Sequence, residues 1–159
     1  MSNVLRLSRT LITVTAALSL AACDATGPDV MGQLRSQLRT HEDVWADNGA
    51  ASYSVRVELR CLCADPYEVT LQIVDGEIES GTHVFSGDAL TPQELSEQLT
   101  LPDLFAIVED ALDRRVPGVS ISYDPEVGFV RHLYVDYNGA ATNDDVEYLV
   151  SEYTPVTIS

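Results

Sequence analysis

The clearest pattern in the chain is a period of two between Tyr53 and Cys61. Tyr53, Val55, Val57, Leu59 and Cys61 fall on one side of an extended segment, and Ser54, Arg56, Glu58 and Arg60 on the other. Such alternation describes a strand with one face buried and one in water. Tyr67, Val69, Leu71 and Ile73 repeat the pattern. Asp75-Gly76 is a strong hairpin signal, and a third strand is expected over residues 77–85. Three more strands are expected towards the C-terminus: Val119, Ile121 and Tyr123 alternating with serines, then residues 129–137 and 146–153.

Elsewhere the period is helical. Leu34, Leu38 and Trp45, helped by His41 and Val44, recur on one face from Met31 to a stop at Asn48-Gly49. Thr91-Pro92-Gln93-Glu94 has the form of a capped start, with a threonine cap, proline in first position and glutamate in third. Leu101, Leu104, Phe105, Val108, Ala111 and Leu112 then mark the apolar face of a longer helix, with Asp103 early and Arg114 and Arg115 late, as the helix dipole prefers. Pro117-Gly118 is expected to end it. The order is helix, three strands, helix, three strands, which reads as two copies of one layout. Sequential strands favour antiparallel pairing. The expected fold is therefore α+β: an antiparallel sheet of about six strands with two main helices packed on one face, the face carrying Val55, Val57 and Leu59.

The N-terminus has a different character. Arg6 and Arg9 precede an apolar run from Leu11 to Ala22 that falls short of the roughly 20 residues a membrane span needs. That is the plan of a secretory signal peptide. Leu20-Ala21-Ala22-Cys23 resembles the bacterial lipobox, which implies diacylation of Cys23 and its exposure as the mature N-terminus. The expected organisation is a signal peptide over 1–22, a lipidated cysteine and short tether over 23–29, and a single α+β domain over 30–159. The expected address is extracytoplasmic, on the periplasmic or cell-surface face of a membrane.

Charge then narrows the partners. No acid precedes Cys23, so the mature chain carries seven arginines against 25 acids, a net charge of −18. Nucleic acid, which needs a basic footprint, is excluded on this ground. So is lying flat on anionic lipid through a polybasic surface. There is no lysine, which rules out chemistry through a lysine amine.

Cys61 and Cys63 are the one pair with chemical interest. In an oxidising compartment they form an even set once Cys23 is acylated. A structural disulfide is the expected state, although closing so small a loop stabilises by only about 1.6 kcal/mol on chain-entropy grounds. Two reduced core thiols, a redox pair and a metal site are the alternatives. His41, His83 and His132 are scattered, without the local spacing of a zinc site. His41 is expected in the core, and His83 and His132 at the surface or a sheet edge. Asp136, Asn138, Asn143, Asp144 and Asp145 gather around the last hairpin. Oxygen-rich loops hold calcium, but the spacing departs from the twelve-residue calcium loop, and a turn rich in Asn and Asp for backbone reasons is the favoured reading. The hydrolase and phosphate-loop motifs have no counterpart in the sequence.

His41, Trp45, Tyr53, Cys61-Leu62-Cys63, Asp75-Gly76, Ser122-Tyr123-Asp124-Pro125 with Gly128, Asp136-Tyr137 and Asp144-Asp145-Val146-Glu147-Tyr148 occur in an order that resembles bacterial lipoproteins of domain of unknown function 6174. Many of those carry a proline soon after the second cysteine, whereas here Ala64-Asp65 precedes Pro66. The resemblance implies a lipid-anchored extracytoplasmic domain and no particular activity. The expected function is a non-enzymatic binding module for an envelope protein or small ligand, held to the membrane through its lipid anchor, with no cofactor, metal or catalytic residue. A thiol-redox protein using Cys61 and Cys63, or a calcium-dependent envelope protein, is the alternative.

Overall fold

The computed structural model describes residues 29–62, 67–140 and 144–156. The segment expected to be a signal peptide, Cys23, Cys63 and Asn143 lie outside them. The described chain runs α1 (Val30–Asn48), β1 (Tyr53–Cys61), β2 (Tyr67–Val74), β3 (Glu77–His83), α2 (Pro92–Ser96), α3 (Leu101–Arg114), β4 (Gly118–Tyr123), β5 (Val130–Asp136) and β6 (Val146–Pro155). All six strands form one antiparallel sheet in the order β3-β2-β1-β6-β5-β4.

The expected layout of a helix and three strands occurs twice, and in each half the strands lie in the order third, second, first across the sheet. The first meander starts at the centre of the sheet and works outward, whereas the second starts at the far edge and returns to the centre. The first and last strands therefore meet. Their pairing contains a bulge opposite Ser54 and Arg56, with Glu152 in the left-handed region at φ 53°. The extra residue lets Tyr153 turn inward to Trp45, Tyr53 and Phe129, while Glu152 turns outward to Arg56 at 2.7 Å.

Local chemistry explains most element boundaries. The Asp29 carboxylate accepts from the Gly32 amide and opens α1. Thr91 with Glu94 and Thr100 with Asp103 form two complete capping boxes, each followed by proline. Asp75 and Gly76 both have positive φ, at 50° and 86°, as a two-residue hairpin turn requires. Gly49 closes α1 with φ −69°, so it is not present for left-handed freedom. A Cβ there would lie 2.6 Å from the Trp45 indole. The third helix stops earlier than Pro117-Gly118, because Arg115 takes a left-handed φ of 52° and caps it.

The core lies between the sheet and α1 and α3. Val55 and Val57 are buried there with Val69, Leu71, Ile73, Leu133 and Val135 from the sheet and Leu101, Leu104, Phe105, Val108 and Leu112 from α3. Leu59 departs from expectation: it is only half-buried and outside the core cluster. Its neighbours across the sheet, Tyr67 and Tyr148, are likewise only half-buried.

Candidate functional site

The residues singled out along the sequence separate into two groups at opposite ends of the strands. Trp45 meets Tyr53, Phe129 and Tyr153 edge-on, with ring centres 5.8, 6.5 and 6.0 Å away. His41 lies flat on Tyr123, 4.2 Å between centres and 7° between planes. The chain at Gly128 passes so close to α1 that a Cβ would sit 2.7 Å from the His41 carbonyl and the Trp45 amide. These contacts fix α1 to the β4–β5 turn. Burial holds the His41 imidazole below its ordinary pKa against the upward pull of Asp124, and pushes the Tyr123 phenol up to about 12. His41 is thus a packing residue, but it is half-buried, not fully in the core, and its Nδ1 has no hydrogen-bond partner.

The second group lies at the Cys61 end and on the face of the sheet turned away from the helices. That face is crossed by rows set by the strand register. One row runs Glu68, Glu58, Leu149, His132, Ser122. The next runs Arg60, Glu147, Tyr134, Ser120. Glu58 and Glu68 face each other directly, an unfavourable pairing that the arginines offset. Arg60 donates twice to Glu58, at 2.6 and 3.0 Å, and Arg56 lies 3.4 Å from Glu68. His132 Nε2 lies 2.8 Å from Glu147, which also meets Arg60 at 3.6 Å. His132 is therefore part of a cross-strand network, beyond the surface or edge role expected for it. His83 is on the edge strand, 3.3 Å from Glu94.

Beside this network is a cleft of about 420 Å³ lined by Arg60, Cys61, Leu62, Tyr134, Asp145, Val146 and Glu147. Tyr134 donates to Asp145 at 3.0 Å, and that bond raises the pKa of its phenol. Asp136, Asp144 and Asp145 each place an oxygen within 4.8 Å of the others. The turn accounts for part of this: Asp136 accepts from the Asn138 amide at 2.9 Å. It does not account for Asp144 and Asp145, each of which has one buried carboxylate oxygen without a hydrogen-bond partner.

The sequence singled out Asp136, Asp144, Asp145 and Cys61; it offered Glu147 only within the family motif and Arg60 only as a water-facing strand residue, and Tyr134 not at all. The signal was present: the period of two through β5 places His132, Tyr134 and Asp136 on one face. Only the register with β6 shows what they stand beside.

Fold and site define a two-layer α+β domain with helices over one face of its sheet and an open, ionic second face. The chain belongs to the family of unknown function DUF6174, whose model matches residues 37–155, a span that holds all six strands. No curated protein matches it. Among the described residues no helix is long and apolar enough to cross a membrane.

Proposed function

We propose that this chain is an extracytoplasmic, non-enzymatic binding module, tethered by an acylated Cys23, which recognises an envelope protein through the open face of its sheet. The observation that carries the reading is that face itself. Its arginines and carboxylates are partly exposed and stand in register across neighbouring strands beside the cleft at Cys61. Fixed rows of paired charge give specificity and orientation at modest cost in stability.

The test is a photo-crosslinker placed at Thr70 on the open face, or at Arg39 on α1, in the full chain in native membranes. A discrete adduct is expected from Thr70 alone. The double variant Arg60→Ala, Tyr134→Ala should abolish it while the melting temperature changes little, because both groups are partly exposed. Adducts from Arg39 only would refute the reading.

A second reading is favoured by the unpartnered oxygens of Asp144 and Asp145: with Asp136 they hold a calcium ion. The sign of one substitution separates the cases. Without a cation, three clustered carboxylates repel, and Asp144→Asn should stabilise by on the order of 1 kcal/mol. With a calcium site, millimolar calcium should raise the melting temperature of the native chain, and Asp144→Asn should remove that rise. A native midpoint indifferent to calcium and to chelator refutes it.

A further inference from the structure

We propose that the Cys61 end of the domain docks on the lipid surface, with Phe85, Leu62 and Val30 as the side chains that enter the interface. Four large hydrophobic residues are exposed among the described residues: Phe85 at 103%, Leu62 at 74%, Val30 at 55% and Val156 at 44%. Single exposed hydrophobic residues are ordinary on any protein. Three of these, however, come from three separate elements and lie at one end of the fold.

The register fixes that placement. Leu62 follows the last residue of β1. His83, the last residue of β3, pairs with Val69, close to where Tyr67 pairs with Leu59, so Phe85 lies beyond the same end. Val30 opens α1, and Arg35 one turn later donates to the Leu112 carbonyl at 2.8 Å and to Asp113 at 2.6 Å, at the C-terminus of α3. The next residue, Arg114, lies 4.9 Å from the centre of the Tyr137 ring, just past the end of β5. Asp136 at that end of β5 pairs with Gly118, and Val135 with Val146, which pairs in turn with Cys61. Val156 is at the opposite end, where its amide donates to the Ser52 carbonyl.

The N-terminal chain leaves the domain at this same end. The proposal rests on the anchor reading: if Cys23 is acylated, the residues from Asp24 to Asp29 reach about 20 Å at full extension. Val30 and its neighbours are then held against the bilayer whatever their own affinity. At such effective concentration, contacts too weak to bind a free domain suffice. Phe85 beyond the edge strand, Leu62 beyond the central strand and Val30 at the start of α1 spread the apolar contacts across this end. Charge does not favour the contact, because acids outnumber the arginines at this end: Asp29, Asp110 and Asp144 stand there in addition to the partners of Arg35, Arg60 and Arg114. The docking is apolar and does not require anionic lipid.

The full acylated chain, reconstituted into phosphatidylcholine vesicles with brominated acyl chains, tests this directly. Phe85→Trp and Leu62→Trp each add an indole at the docking end, and Val156→Trp adds one at the far end; Trp45 is the same background in all three. The proposal expects the added emission at 85 and 62 to be quenched several-fold more than at 156. Equal quenching in a chain that floats with the vesicles overturns the docking and leaves the anchor standing. A chain without an acyl mass increment that does not float overturns both.

Discussion

Phe105→Ala is expected to destabilise the domain by about 3–5 kcal/mol, the usual scale for a buried aromatic. Phe105 is buried on the inner face of α3 and stacks with Tyr123, 6.3 Å between ring centres and 16° between planes. Tyr123 in turn carries His41 on its ring. The phenyl thus links α3, the edge strand β4 and α1. Its loss leaves a cavity that none of the three can fill without separating from the others. Thermal and denaturant melts check it: a fall of more than about 10 °C is expected for a domain of this size. A variant that melts within a degree or two of the native protein would show that α3 is not packed in this way.

Gly128→Ala should cost about 2–4 kcal/mol, from two sources. A residue other than glycine at φ 95° is strained by roughly 1–2 kcal/mol. In addition, the methyl group would meet backbone atoms of His41 and Trp45 at 2.7 Å and Val44 Cβ at 3.0 Å. Backbone in the middle of a helix cannot swing aside, so α1 must shift, at the cost typical of overpacking. Gly87→Ala is the control, because Gly87 also has a positive φ, 75°, but open space around it. The difference between the two variants measures the contact between helix and turn. A red shift in Trp45 emission should accompany the loss in Gly128→Ala alone, and equal effects at the two glycines would refute the packing argument.

Much of the fold was legible because its determinants are local. Alternation from Tyr53 to Cys61 named both faces of β1, and threonine, proline and an acid three residues after the cap marked α2. The order of strands was not legible. Periodicity says that Val57 faces a core, but not that its neighbours across the sheet are Val69 on one side and Val150 on the other. That choice depends on residues far apart in the chain. Leu59 failed for a related reason: its alternation with Val55 and Val57 is regular, but burial depends on neighbours far along the chain, and Tyr67 and Tyr148 beside it are only half-buried. In the candidate site, the aspartates of the last hairpin were visible as neighbours in sequence. The placing of Glu147 beside Tyr134 awaited the β5–β6 register, and that of Arg60 beside Glu147 the β1–β6 register.

That register has a kinetic consequence. Arg56 pairs with Ser151, so the central seam of the sheet joins parts of the chain that emerge from synthesis far apart in time. Each meander can form by hairpins as it appears, but until β6 is complete β1 presents a bare backbone edge where the middle of the sheet will be. Such late, long-range closure slows folding and leaves an open strand edge exposed to wrong partners. A chain cut short before Val146 would keep that edge permanently, with most of its core residues already in place beside it.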